Sequence, residues 1–298
     1  MTPLLLLMVC LLLGVAVGRF QKAPPGLPPS LNWWVLNIAL PALILHLIPK
    51  LEVDLHLWFL PAAMWLVFLG AWGLFAVIGK RLHWSREQIG ALTLVCGLGN
   101  TSFIAFPMIE ALRGQTGLTL AVVADQIGCF PALVIGGTVV AATYSGGKPS
   151  ARQIARKVFW FPPFLSFVVG VVAGRLGGWP LPVDEILARI GATLVPLALF
   201  SVGLQLKLKL APGQMSVAAI GLCWKLLVAA GLVWGFGLAF GIRHDILTIA
   251  VLQTAMAPMI SAAILANQYD LDPPLANAVL SIGIVISFVS VPLFNLMF

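Results

Sequence analysis

Long apolar stretches separated by short breaks fill almost the whole chain, from residue 3 to residue 297. A helix needs roughly 20 mostly apolar residues to cross the hydrocarbon core of a bilayer. Ten stretches meet this requirement, and we predict one transmembrane helix for each: 3–18, 31–48, 57–79, 88–110, 117–143, 158–176, 187–206, 214–240, 246–268 and 274–297. The sequence therefore predicts an all-α integral membrane protein.

Charge content supports a lipid environment. Only 9% of the residues are charged, whereas a soluble domain carries roughly 25%. A water-facing surface cannot be built from so few charges, so the lipid bilayer is the expected partner. The net charge of +7 does not indicate nucleic-acid binding, because Lys and Arg are scattered over short loops. Cys and His show no metal-ligand spacing, so we predict no metal site and no bound cofactor.

The distribution of Lys and Arg predicts the orientation of the chain. With the N-terminus outside, eleven of the 17 Lys and Arg fall in loops on the cytoplasmic side and five fall opposite. The eleven are Arg19, Lys22, Lys80, Arg81, Arg86, Lys148, Arg152, Arg156, Lys157, Lys207 and Lys209. The positive-inside rule then places both termini on the non-cytoplasmic side of the cell (inner) membrane.

An internal repeat divides the chain into two halves. The segment from Gly14 to Arg19 is similar to the segment from Gly170 to Arg175, and 37–43 is similar to 192–198. The two offsets are 156 and 155 residues, which favours duplication of a five-helix unit. Five is odd, so the second copy enters the membrane from the opposite side. We expect repeats at 1–145 and 158–298 with a short cytoplasmic linker at 146–157, an arrangement found in many secondary transporters.

The fourth span of each half combines helix breakers with polar residues. Gly97, Gly99 and Pro107 interrupt span four, and Pro258 interrupts span nine. The polar residues at the two breaks are Asn100, Thr101, Ser102, Gln253, Thr254 and Ser261. Broken backbone is tolerated in a membrane where it lines a cavity or is buried in protein, although Pro and Gly also occur in helices that merely kink. We predict that both spans are broken and cross at the midplane, where helix N-termini would favour an anion such as a carboxylate.

Two ionisable residues lie well inside predicted spans, Asp125 in span five and Lys225 in span eight. Charges at the centre of a bilayer cost about 2.5–3.5 kcal/mol on insertion scales, so they normally pair or face water. One interpretation pairs Asp125 with Lys225 as a structural salt bridge or a hydrogen-bonded brace. The other makes Asp125 a carrier of H⁺ or another cation, coupled to substrate movement. The sequence leaves both interpretations open.

Several motifs resemble the auxin efflux carrier family, which includes plant auxin exporters and bacterial permeases for malate or malonate. The similar segments are Gly99–Pro107 followed by Glu110, Ala124-Asp-Gln126, Ala198–Leu204, Lys225-Leu-Leu227, and Ala255–Met259 continuing to Pro273. One departure is Ala105, where the family often has Gly. The resemblance extends over the whole chain and is most specific in spans four and nine.

The resemblance implies ten helices in two inverted repeats, with spans four and nine crossed and a carboxylate bound near Asn100. It also implies a scaffold panel beside a bundle that moves in an elevator-like or rocking manner. An exposed apolar scaffold face is compatible with a homodimer. We expect a secondary transporter of small organic anions, such as malate, malonate or auxin-like acids, with H⁺, Na⁺ or no coupling ion.

Three other functions compete with this expectation. A sodium-coupled symporter of the bile-acid type shares crossed helices and would require Na⁺ for binding. A passive channel would show fast flux that does not saturate. An intramembrane enzyme needs a catalytic constellation at membrane depth, and a single Asp cannot form the paired carboxylates of an aspartyl protease. We therefore expect that the chain is not an enzyme and has no catalytic residues.

Overall fold

The computed structural model describes residues 2–21, 23–24, 26–146, 156, 159–206 and 213–298. Over these residues the regular secondary structure is helical, apart from one isolated bridge between Gly99 and Pro258. Six helical stretches are long and apolar enough to cross a bilayer: Leu27–Lys50, Leu55–Arg81, Ala105–Ser145, Leu181–Gln205, Met215–Ala239 and Pro273–Asn295. Two shorter apolar helices, Leu5–Phe20 and Pro162–Arg175, accompany them. The chain is a multi-pass, all-α membrane protein.

The described α-helices are numbered here in chain order. They are α1 (Thr2–Phe20), α2 (Leu27–Trp34), α3 (Leu40–Leu47), α4 (Phe59–Arg81), α5 (Arg86–Gly97), α6 (Ala105–Val123), α7 (Thr138–Ser145), α8 (Pro162–Arg175), α9 (Leu181–Gly191), α10 (Leu194–Gln205), α11 (Met215–Cys223), α12 (Ala229–Ala239), α13 (His244–Thr254), α14 (Ile260–Gln268) and α15 (Pro273–Asn295). Wider π-helical turns occupy Val35–Ala39, Ala124–Cys129, Ala132–Gly137 and Trp224–Val228. Such turns are frequent at functional sites.

Local sequence explains where several helices begin. Ser85 caps α5 by accepting a hydrogen bond from the backbone of Gln88, whose side chain accepts from the backbone N–H of Ser85 in return. Asp272 caps α15 by accepting from the backbone N–H of Leu275, and prolines occupy the first helical positions after it. Proline suits this position because its missing N–H would have no partner inside the helix.

Predicted spans four and nine are each represented by two helices. In span four the first helix ends at Gly97 and the second begins at Ala105. In span nine the first helix ends at Thr254 and the second begins at Ile260. Pro258 lies inside its interruption. Pro107 instead lies in the first turn of α6, where the helix tolerates proline. The first interruption is therefore formed by residues 98–104, ahead of that proline.

Gly114 separates the end of predicted span four from predicted span five. Its φ of 66° and ψ of −165° lie in a region that glycine adopts without the penalty that a Cβ atom brings. The sequence predicted a connection at 111–116, and the structure confines the change of direction to this one residue. The apolar stretch Ala105–Ser145 is therefore two helical segments.

Two compact units are present, each assembled from separate parts of the chain. The first contains Met1–Asp54, Ser102–Val122 and Arg156–Leu206, and the second contains Leu55–Thr101, Val123–Ala155 and Lys207–Phe298. The predicted repeats, 1–145 and 158–298, each contribute to both units. Within the first unit α1 packs along α10, and α3 packs against α8 and α9. Within the second unit α5 packs against α4, α7, α14 and α15.

Glycines allow close backbone contact in the first unit. A Cβ atom placed on Gly14 would lie 2.2 Å from the carbonyl oxygen of Phe200, and one placed on Gly203 would lie 2.3 Å from that of Leu11. Helices α1 and α10 therefore meet backbone to backbone, which maximises dispersion contact where lipid offers no hydrophobic driving force.

Part of the predicted cytoplasmic side lies outside the described residues. This holds for the linker 146–157, except Gly146 and Arg156, and for Lys22, Lys148, Arg152, Lys157, Lys207 and Lys209. The other positively charged residues assigned to that side, Arg19, Lys80, Arg81, Arg86 and Arg156, are exposed.

Candidate functional site

The two helix interruptions pair with each other inside the second unit. The backbone N–H of Asn100 donates to the carbonyl oxygen of Ala257 at 2.8 Å, beside the bridge between Gly99 and Pro258. Asn100 is buried. An unsatisfied buried backbone group is costly, so this pairing stabilises the non-helical backbone of the interruptions.

Thr101 connects the two interruptions through its side chain and its backbone. Its hydroxyl donates to the carboxylate of Asp125, and its carbonyl oxygen accepts from the side-chain amide of Gln253 at 3.4 Å. Both partners are buried, as is Thr254 at the end of α13. Four of the predicted polar residues, Asn100, Thr101, Gln253 and Thr254, therefore lie in one buried region.

Asp125 and Lys225 are both buried and are both hydrogen-bonded to residues of the two interruptions. The Asp125 carboxylate also accepts from the side-chain amide of Gln126 at 2.7 Å, and the Lys225 ammonium donates to the carbonyl oxygen of Thr254 at 3.0 Å. Ion pairs among the described residues include His46–Asp184, Lys50–Asp184 and Arg243–Asp245. No hydrogen bond or ion pair seen among the described residues joins Asp125 directly to Lys225.

Both buried charges project from π-helical turns. Asp125 belongs to the turn Ala124–Cys129 and Lys225 to the turn Trp224–Val228. Each charge holds a different interruption, because Asp125 binds Thr101 and Lys225 binds the carbonyl of Thr254. Sequence periodicity predicted neither turn, since a π-turn differs from an α-turn by a single residue.

Three contacts at the interruptions involve residues that the sequence analysis did not single out for the site. Gln126 binds Asp125, and its position beside Asp125 in the Ala-Asp-Gln motif was the available signal. The Cys129 thiol donates to the carbonyl oxygen of Gly99 at 3.4 Å. A Cβ atom on Gly283 would lie 2.3 Å from Cδ of Pro258, so this glycine makes room for the proline ring. The last two contacts left no recognisable pattern in the sequence.

The remaining predicted site residues are placed differently. Gly97 ends α5, where a Cβ atom would lie 3.2 Å from side chains of Phe68 and Ala71. Ser261 is half-buried in the first turn of α14. Ser102 is buried and belongs to the first unit. These residues are not joined to the Thr101 network by the hydrogen bonds seen in the described part of the chain.

A cavity of about 770 Å³ lies within the first unit. Its lining is mostly apolar, and its polar lining residues include His46, Glu110 and Gln115. Pro107 also lines the cavity, so α6, the helix that follows the first interruption, forms part of its wall. Ligand pockets of about 300–1,000 Å³ with a few polar groups are typical of small-molecule sites.

A model of the membrane transport protein family matches residues 1–295. The chain belongs to this family. It is the auxin efflux carrier family, as the motifs of spans four and nine indicated. An uncharacterized transporter of Methanothermobacter thermautotrophicus is 25% identical over 273 residues, which cover 89% of this chain and 87% of that protein. An uncharacterized transporter of Methanocaldococcus jannaschii is 26% identical over 287 residues, with 91% of each chain covered.

Family membership decides the class of function. This member of the membrane transport protein family is a transporter and not an enzyme. The described residues contain no group of three or more His, Cys, Asp or Glu that could hold a metal ion.

Proposed function

We propose that this transporter carries small organic anions, carboxylates such as malate, malonate or auxin-like acids, by alternating access. In the proposed architecture ten spans form two inverted five-helix repeats, and the broken fourth and ninth spans cross. The anion binds next to Asn100. The protein lies in the cell (inner) membrane with both termini on the non-cytoplasmic side.

The observation that carries this proposal is the pairing of the two interruptions between Asn100 and Ala257. Secondary transporters place their substrates where unwound helices meet, because only there does the membrane interior offer polar backbone and side-chain groups. Asn100 belongs to the paired segment, and Thr101, Gln253 and Thr254 surround it with further buried polar groups. These side chains include hydrogen-bond donors, from which a carboxylate can accept hydrogen bonds.

Uptake into proteoliposomes tests the proposal. Purified protein is reconstituted and assayed with radiolabelled malonate, malate and indole-3-acetate, under a pH gradient and separately under a Na⁺ gradient. Saturable uptake of at least one carboxylate is expected, and Asn100→Ala is expected to reduce it more than tenfold. Asn277→Ala is the matched control, because Asn277 is an exposed amide of the same unit that pairs with Asn267.

The alternatives give different results in the same assay. Uptake that occurs only with Na⁺ would favour a symporter of the bile-acid type. Fast flux that does not saturate would favour a channel. Full activity of Asn100→Ala alongside saturable uptake would move the substrate site away from Asn100.

A further inference from the structure

The second unit buries one negative and one positive charge in its described part. Asp125 is 3% exposed and Lys225 is 1% exposed. The other Asp, Glu, Lys and Arg residues described in this unit are half-buried or exposed. With both groups ionised, the buried charges in the described part of this unit sum to zero.

Lys225 has capacity for a further acceptor. An ammonium group carries three N–H donors. Among the described residues it has one hydrogen-bond acceptor, the carbonyl oxygen of Thr254. A Cβ atom on Gly99 would lie 3.0 Å from the ammonium nitrogen, so the Lys225 ammonium lies against bare backbone next to Asn100. An anion bound at Asn100 would therefore be adjacent to a cation with unused donors.

Asp125 can take up a proton and keep a hydrogen bond to the Gln126 side chain. Its carboxylate accepts from the Gln126 amide nitrogen at 2.7 Å, and the Gln126 amide oxygen is buried without a hydrogen-bond partner in the described structure. Rotation of the amide by half a turn exchanges nitrogen for oxygen at about the same separation, which is typical of an O–H···O hydrogen bond. Gln126 thus offers a donor to the ionised carboxylate and an acceptor to the protonated one.

The charge of the buried region then limits which ions can be transported together with the substrate. If a monocarboxylate binds to Lys225 without a proton, the buried region carries one net negative charge. A doubly ionised dicarboxylate bound in the same way leaves two net negative charges. Uncompensated charge in a low-dielectric interior is strongly unfavourable. If a monocarboxylate binds and Asp125 is protonated, the charges of the buried region again sum to zero. This region is then neutral both with and without substrate.

We propose that the transporter moves one monocarboxylate anion together with one proton, the anion on Lys225 and the proton on Asp125. This inference rests on the proposed organic-anion transport. The proton enters the Asp125 carboxylate from one side of the membrane and leaves to the other side with the substrate. A dicarboxylate is carried only in its singly charged form.

Other titratable groups near the pair do not disturb this balance. The buried thiols of Cys96 and Cys129 are the titratable groups in question, and the Cys129 thiol donates to the Gly99 carbonyl oxygen. A thiol buried in apolar surroundings stays neutral. The helices that pack against the turn Ala124–Cys129 and against α5 carry their described charged side chains at exposed ends, apart from Lys225 itself.

Transport with the membrane potential clamped by valinomycin and K⁺ tests the proposal. The probes are radiolabelled lactate, indole-3-acetate and malonate, and uptake into protein-free vesicles is subtracted. With the pH one unit lower outside the vesicles than inside, we expect the monocarboxylate to accumulate inside about tenfold. The potential alone should drive no accumulation. Accumulation driven by the potential and indifferent to pH would overturn the proposal but leave organic-anion transport standing, whereas absence of saturable carboxylate uptake would defeat the proposed function itself.

Variants separate the two charges. Asp125→Asn imitates the protonated state, so we expect it to lose gradient-driven accumulation and to retain exchange of labelled for unlabelled monocarboxylate. Lys225→Met should lose both activities. The control Asp245→Asn removes an exposed carboxylate of the same unit and should keep both. Gradient-driven accumulation that survives in Asp125→Asn would overturn the proposal.

A second variant keeps the test informative if Asp125→Asn does not fold. Gln126→Met preserves Asp125 and the side-chain volume but removes both the donor and the acceptor of the amide. We expect exchange to persist while the pH profile of uptake shifts by more than half a unit. An unchanged pH profile would contradict the role of Gln126 and with it the proton site.

Discussion

The hydroxyl group of Thr101 donates a hydrogen bond to the carboxylate of Asp125, and both residues are buried in the second unit. This bond joins the first helix interruption to the π-helical turn Ala124–Cys129. The next residue toward the N-terminus, Asn100, holds the opposite interruption through Ala257. A change in the charge of Asp125 therefore acts on the segment that pairs the two interruptions.

Replacing Thr101 with valine should reveal the strength of this bond. The two side chains have the same shape, but valine has no hydroxyl, and a hydrogen bond to a charged group contributes about 1.5–3 kcal/mol. We expect Thr101→Val to lower the thermal unfolding midpoint in detergent and to reduce uptake about tenfold or more. Thr101→Ser retains the hydroxyl and should keep most of both properties.

The same substitution in the Asp125→Asn background provides the control. If Thr101 acts through the carboxylate, the effect of Thr101→Val should become smaller there, giving a coupling free energy of about 1 kcal/mol or more. Additive effects of the two substitutions would show that Thr101 stabilises the protein independently of Asp125.

Close packing of α1 on α10 predicts that small additions there are costly. The Cβ atom of Gly14→Ala would lie 2.2 Å from the carbonyl oxygen of Phe200, and backbone atoms cannot move aside as side chains do. Overpacking costs about 1–3 kcal/mol, so Gly14→Ala should lower the unfolding midpoint. Gly231→Ala is the matched control, because nothing lies within 4 Å of its added Cβ atom. Equal effects of the two variants would contradict the backbone contact.

The ion-pair cluster of the first unit should stabilise it mainly through Asp184. This carboxylate accepts from Nδ1 of His46 and from the ammonium of Lys50, both at 2.7 Å. Asp184→Asn removes the shared acceptor charge and should cost about 1–3 kcal/mol of the unfolding free energy. Lys50→Met should cost less than about 1 kcal/mol, because the Lys50 side chain is 53% exposed and solvent screens its charge. Thermal unfolding monitored by tryptophan fluorescence compares the two variants.

The sequence predicted the class of fold because lipid imposes a simple requirement. Twenty apolar residues and satisfied backbone groups are needed for each crossing, and both leave a visible pattern. The interruption around Asn100 was predicted for a related reason, since Gly97, Gly99 and nearby polar residues stand out in an apolar context. Membership of the auxin efflux carrier family followed from the same segments.

Other features of the site depend on contacts between distant residues and left no local pattern. Asp125 was recognised as unusual, but its partner Thr101 is 24 positions away and could not be distinguished from Lys225 by spacing. The contact of Cys129 with the Gly99 carbonyl likewise joins residues 30 positions apart. The compact units also mix both halves of the chain, because packing in three dimensions does not follow the order of the sequence.

Gly283 offers a test of the second interruption from a residue outside it. A Cβ atom there would lie 2.3 Å from Cδ and 2.7 Å from Cγ of Pro258, and the rigid proline ring cannot rotate away. Gly283→Ala should displace Pro258 and weaken its bridge to Gly99, so uptake should fall more than tenfold. Gly137→Ala in the same unit is the control, because its added Cβ atom meets side chains at an ordinary 3.4 Å. If both variants are purified as folded protein and transport at the same rate, the position of Pro258 is not needed for transport.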